Sequence, residues 1–163
     1  MKLSLKLIAI VCFFISSSVS AQSIPRWKLA DLEAAMNNAD KPTIINFWAT
    51  FCKPCIEEIP YFQQVLKHYD TSKVRLILVS LDLPEAYKNI PAFAKKRKIT
   101  APIVYLNETN ADIFCPRVDP SWSGTIPASI FINNKAGYRK FFEDQLTRKE
   151  FTKQVELLLG SGK

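Results

Sequence analysis

Thr43-Ile44-Ile45-Asn46-Phe47-Trp48-Ala49-Thr50-Phe51-Cys52-Lys53-Pro54-Cys55 is the stretch on which the fold turns. Its first six residues are a short apolar run, the pattern of a strand buried on both faces of a mainly parallel sheet. From Pro54 onward the period lengthens, and Cys55, Ile59, Phe62, Leu66 and Tyr69 fall on one helical face. A buried strand thus runs straight into a helix, with two cysteines at the junction. Pro60 lies inside that helix, removes one backbone hydrogen bond and predicts a kink.

Upstream, Leu29, Leu32, Ala35 and Met36 recur at helical spacing, so 29–38 reads as an amphipathic helix that Lys41-Pro42 closes off. Downstream, 74–81 reads as a central strand, 84–98 contains a helix whose start Pro91 obscures, and 103–106 is another strand. The segment 107–124 carries few periodic signals and reads as an insertion or long loop. Two strands, 128–132 and 138–142, flank the hairpin connection Asn133-Asn134-Lys135-Ala136-Gly137. Phe151, Val155 and Leu158 mark a last helix ended by Gly160. Strand–helix alternation followed by a hairpin predicts an α/β domain over 22–163, with a mixed sheet between helical layers.

Residues 1–21 stand apart. Lys2 and Lys6 give a basic start, 7–15 is almost wholly apolar, and Ser16-Ser17-Ser18-Val19-Ser20-Ala21 is small and polar. That is the form of a secretory signal peptide, with cleavage expected between Ala21 and Gln22. The apolar run falls short of the roughly 20 residues of a comfortable transmembrane helix; an uncleaved anchor is the competing reading. The chain has 22 basic and 15 acidic residues, a net charge of +7, which loss of Lys2 and Lys6 lowers to +5. Apolar and charged fractions of 48% and 23% exclude a disordered or disulfide-scaffold chain. Removal of Cys12 would leave Cys52, Cys55 and Cys115, an odd set that cannot be a closed structural framework.

The spacing of Cys52 and Cys55 has chemical consequences. A helix start offers unpaired N–H groups and a positive dipole end, which stabilise a thiolate and lower its pKa from about 8.5. The thiolate is the species that attacks a disulfide, so Cys52, nearer the helix start, is the expected nucleophile. Cys55, one turn in, is the expected resolving thiol. Lys53 adds a positive charge, and Pro54 fixes the backbone between the pair. A zinc half-site would need two more ligands, and Cys115 and His68 offer no set, so no metal is expected. A plain structural disulfide is the remaining alternative, in a strained place for a staple.

With Asn46-Phe47-Trp48-Ala49-Thr50-Phe51-Cys52-Lys53-Pro54-Cys55, Glu58-Ile59-Pro60 and Gly124-Thr125-Ile126-Pro127, the sequence resembles the thioredoxin superfamily, and more closely its exported TlpA/ResA/DsbE-like branch. The resemblance implies a thioredoxin-like three-layer α/β/α fold. It also implies a cis-proline at Pro127, substrate contacts from Thr125, Ile126 and Pro127, and tuning of the pair by Asn46. Glu58 is three residues beyond Cys55 on the same helix face and is the expected proton carrier for it; the plain alternative is a solvated surface carboxylate. Two positions depart from the family pattern: Phe51 where tryptophan is usual, and Ala128 where threonine is common.

The other residues have ordinary readings. Cys115 reads as a small buried hydrophobe, with a third redox thiol as the sharper option. Trp48 and Trp122 read equally as core or as flanks of the motif, and substrate contact is the sharper expectation for Trp48. Lys95-Lys96-Arg97-Lys98 closes a helix, and a nucleic-acid partner is not expected. The resulting expectation is a periplasmic or secreted, monomeric thiol–disulfide oxidoreductase that reduces disulfides in client proteins. Cytochrome c maturation is the client setting that the resemblance implies. No cofactor is expected beyond the redox-active Cys52–Cys55 disulfide itself, which a membrane-bound electron donor would recharge. A disulfide oxidant or isomerase and a Cu(I)-binding chaperone are the alternatives, the latter weakened by the two-residue spacer and the lack of a matching histidine.

Overall fold

The computed structural model describes residues 24–70 and 72–160; the expected signal segment 1–21 lies outside them. Six strands form one mixed sheet, in the order β1-β4-β3-β2-β5-β6. They are β1 (Arg26–Trp27), β2 (Thr43–Trp48), β3 (Arg75–Ser80), β4 (Ile103–Leu106), β5 (Ala128–Asn133) and β6 (Tyr138–Phe142). The helices are α1 (Leu29–Asn37), α2 (Lys53–Leu66), α3 (Ile90–Lys96), α4 (Ala111–Val118) and α5 (Arg148–Leu158). Strand β2 pairs parallel with β3 and antiparallel with β5, so it lies inside the sheet, and all six of its residues are buried.

The period of two along each strand sorts side chains between two cores. Ile44 and Trp48 of β2, Leu76 and Leu78 of β3 and Phe131 of β5 face α2, α3 and α5. Ile45, Phe47, Ile77, Val79, Ile130 and Ile132 face α1 and α4. On the first face Phe62 of α2 stacks on Phe151 of α5, with ring centroids 3.8 Å apart. On the second, Leu32 and Met36 of α1 pack with Phe114, Cys115 and Val118 of α4. This is a three-layer α/β/α fold. No helix among the described residues is long and apolar enough to cross a membrane.

Three elements differ from the sequence reading. The segment 107–124 contains α4, which Pro116 and its short length had hidden. Its N-cap is Asn110, whose side chain accepts from the Asp112 N–H at 3.0 Å, a strong start signal in a short helix. The expected helix over 84–98 divides into a 3₁₀ turn, Pro84–Asn89, and α3, with Pro91 in the first turn of α3, where a missing N–H costs nothing. Strand β1 has two residues and no periodic pattern to announce it. The hairpin between β5 and β6 turns on Gly137, at φ 62°, a left-handed conformation that glycine adopts without a Cβ penalty. Helix α2 continues through Pro60.

Candidate active site

The site lies where β2 ends and α2 begins. Cys52 is the N-cap of α2, with extended backbone, and its Sγ accepts a hydrogen bond from the Cys55 N–H at 3.3 Å. The two cysteines are joined in a disulfide, so this sulfur stands in for the thiolate of the reduced protein. A thiolate at that point would keep the N–H partner and the positive helix end. Cys52 is 7% exposed and Cys55 is fully buried, which makes Cys52 the sulfur that a partner reaches first.

Under the pair lies a buried polar group. Cys55, Glu58, Ile59, Phe62 and Val65 form the buried face of α2, which places Glu58 one turn beyond Cys55 and wholly out of solvent. Asn46 points to the same side of the sheet as Ile44 and Trp48, by strand alternation. Its Nδ2 donates to Glu58 Oε1 at 2.7 Å and to Ser129 Oγ at 3.0 Å. The Leu146 N–H donates to the other carboxyl oxygen at 3.1 Å. Burial pushes the Glu58 carboxyl up to about 7, against smaller opposing effects of the Asn46 and Leu146 hydrogen bonds. A carboxyl titrating near neutrality can both take and return a proton at the adjacent thiol. The solvated-surface reading of Glu58 is therefore set aside by its burial.

The loop before β5 completes the rim. The Ile126–Pro127 peptide bond is cis. Thr125 is exposed, Ile126 half-buried and Pro127 buried. Glu143, just past β6, accepts from the Ser123 N–H at 3.0 Å and the Thr125 N–H at 2.9 Å, and Trp122 Nε1 donates to the Thr125 carbonyl at 2.9 Å. Trp122 thus props this loop from within the α1/α4 core. Trp48, expected to touch substrate, is fully buried, and its Nε1 has no hydrogen-bond partner among the described residues. Alternation along β2 turns it inward into the core that faces α2, with its ring 6.1 Å from that of Phe93. Lys53 is exposed, with its ammonium 3.9 Å from Glu57, and the Pro54 carbonyl accepts from Gln145 Nε2 at 3.2 Å.

Sequence reasoning missed three contributors. Asp82 accepts from the Thr50 N–H at 3.0 Å and from Ser80 Oγ at 2.8 Å, tying the loop after β3 to the loop before Cys52. That tie holds Phe51 and Leu83, 69% and 65% exposed, as apolar surface beside the disulfide. Ser129 and the Leu146 N–H complete the Glu58 network, and neither belongs to a local pattern. Cys115 lies apart, on α4 in the opposite core, where burial first, and then Glu143 and Asp112, push its thiol up to about 11.

This chain belongs to the AhpC/TSA family, whose model matches residues 17–137. It is 25% identical over 136 residues to the thiol-disulfide oxidoreductase ResA of Geobacillus thermodenitrificans, covering 81% of this chain and 74% of that one. It is 26% identical over 125 residues to the sporulation thiol-disulfide oxidoreductase A of Bacillus subtilis, covering 76% and 72%. Among solved structures it is similar to a thioredoxin-related protein from Neisseria meningitidis serogroup B, with a TM-score of 0.63 and 27% identity over 73% of this chain and 85% of that one. Fold, family and the Cys52–Cys55 bond together define an enzyme of the thiol–disulfide oxidoreductase class.

Proposed function

We propose that the chain works outside the cytoplasm as a monomeric reductase of disulfides in client proteins. In this reading the reduced Cys52 thiolate attacks a client sulfur, the client disulfide breaks, and the departing client thiolate takes up a proton. Cys55 then gives its proton to Glu58 and attacks Cys52 Sγ. The mixed disulfide breaks, the second client thiol leaves, and two electrons have passed to the client while Cys52–Cys55 becomes oxidised. Thr125, Ile126 and Pro127 would hold the client backbone, with Phe51 and Leu83 offering apolar contact. Lys53 and Pro54 would tune the pair, and Asn46 would orient Glu58. The pair is the only cofactor in this scheme, and a membrane-bound donor would return its electrons. Proteins of cytochrome c maturation are the client setting that the family resemblance favours.

The single observation that carries this reading is the Glu58 carboxyl, buried one turn from Cys55 and shifted to about 7. A plain structural disulfide has no use for a titrating group beneath it. The basic-apolar-small order of residues 1–21 supports export. The deciding experiment is the reduction potential of the Cys52–Cys55 pair in protein carrying Cys115→Ala. A value near about −270 mV or lower is expected and marks a reductant that a donor must recharge. A value of about −120 to −180 mV would move the chain to the oxidants or isomerases.

A further inference from the structure

Charge is segregated along the axis of the sheet. Strands β2, β3 and β4 are parallel, so they begin together at one end, and β2 delivers the disulfide at the other. Lys41, Lys67, Lys73 and Arg75 stand around the end where the strands begin. The run Lys95-Lys96-Arg97-Lys98 closes α3 next to them, and the Lys98 carbonyl accepts from Gln63 Nε2 at 3.5 Å. Of the carboxylates at this end, Asp40 is paired with Arg75 at 2.7 Å, Asp70 accepts from the Ser72 N–H at 2.8 Å, and Glu156 lies toward Tyr69. The named basic groups outnumber these carboxylates by eight to three. At the disulfide end the sign reverses: the loops leaving β3, β4 and β6 carry Asp82, Glu85, Glu108, Asp112, Glu143 and Asp144.

A cavity of about 380 Å³ opens inside the basic ring, with Leu66, Val74, Leu76, Ala101 and Pro102 among its lining. Its rim is held in place, because Gln63 Oε1 accepts from the Thr100 N–H at 2.6 Å and the Ala101 N–H at 3.0 Å. An apolar hollow ringed by cations matches a molecule that is anionic at one end and hydrocarbon at the other. An acidic protein surface would satisfy the ring but not the hollow. A bilayer containing acidic phospholipid presents such molecules at high density, and basic side chains near it gain attraction within a Debye length of the surface. The direction of the chain agrees: β1 is parallel to β4, so its upstream end points toward this same end of the sheet.

We propose that the basic end of the molecule docks on an anionic bilayer surface, its cationic ring on the lipid phosphates and its apolar hollow against hydrocarbon. This posture turns the Cys52–Cys55 end away from the lipid, toward client proteins, so that re-reduction by a membrane-bound donor requires the basic end to undock. The docking holds whichever way electrons flow through the pair.

The test uses the full-length chain with vesicles of phosphatidylcholine alone or enriched in phosphatidylglycerol, scored by co-sedimentation. The expected result is a binding increment on the acidic vesicles that high salt removes. The combined variant Lys67→Gln, Lys95→Gln, Lys96→Gln should weaken that increment on the order of 100-fold, while leaving neutral-vesicle binding and disulfide exchange unchanged. A control that removes equal charge elsewhere, Lys88→Gln, Lys140→Gln, Lys149→Gln, should retain most of the increment. Equal loss in both variants would mean a response to net charge and overturn the proposal. So would absence of the increment in the unmodified chain. Loss of binding to soluble polyglutamate, with vesicle binding intact, would assign the face to an acidic protein and overturn it as well.

Discussion

The chain places cysteine beside proline in two regions, and the two behave as different residues. Cys52 and Cys55 flank Pro54 at the start of α2, and Cys115 precedes Pro116 within α4. Burial does not separate them, since Cys52, Cys55 and Cys115 are 7%, 0% and 3% exposed. What separates them is the company. The first pair has a helix N–H donating to one sulfur, and one turn beyond the other cysteine lies a buried carboxyl pushed up to about 7. Cys115 sits late in its helix, among apolar side chains, with Glu143 and Asp112 further opposing its ionisation. A buried thiol is inert by default, and reactivity has to be built around it.

The sharpest way to break that contrast is to exchange the fates of the cysteines. Cys52→Ser and Cys55→Ser should each lower turnover in an insulin-reduction assay by on the order of 1,000-fold or more, because each removes a reacting atom. Cys115→Ala should leave turnover within about 2-fold, since nothing in the exchange passes through it. An equal loss at Cys115 would abolish the distinction.

Glu58→Gln probes the carboxyl alone. Exchange should slow by on the order of 100-fold at mildly alkaline pH, and the rise in rate through about pH 7 should disappear, because glutamine cannot accept the Cys55 proton. The same group imposes a stability signature. Its folded pKa of about 7 exceeds the ordinary 4.5, so the fold favours the protonated form. The contribution is fully present below about pH 4.5 and is lost as pH rises through about 7, a change of roughly 3 kcal/mol. Urea melts at several pH values should show that decline in the unmodified chain and a flatter profile in Glu58→Gln. Unchanged profiles would show that the carboxyl is not perturbed by burial.

The smallest effect belongs to the inert thiol. Cys115→Ser should cost roughly 1–3 kcal/mol by putting a hydroxyl in an apolar site, more than Cys115→Ala. In the folded protein near pH 8, Cys115 should resist iodoacetamide, because a thiol pushed up to about 11 carries little thiolate. Denatured-state urea melts and labelling followed by mass spectrometry read out both.

Much of this was legible along the chain. The apolar run of β2 and the switch to helical period at Pro54 placed the cysteines at a strand–helix junction, and strand and helix faces were readable wherever one period ran unbroken. Legibility failed where local signals were short or mixed. Helix α4 combines eight residues with an internal proline, and β1 has only two residues, so neither carries enough turns or alternations to stand out. Along the chain Trp48 fits core and motif flank equally, and it is the parity of β2 that decides for the core.

Local pattern along the chain sets the α/β alternation, the Cys52–Cys55 junction and the helical phase that puts Glu58 on the face of Cys55, because these depend on periods and on spacings of a few residues. Tertiary structure alone decided that Glu58 is sealed from water. That required Asn46 from β2, the Leu146 N–H from the approach to α5 and Ser129 from β5 to meet at one point. Those groups lie up to 88 residues from Glu58 along the chain, and only packing brings them together. The proton affinity of a carboxyl is fixed by that enclosure and not by its neighbours along the chain.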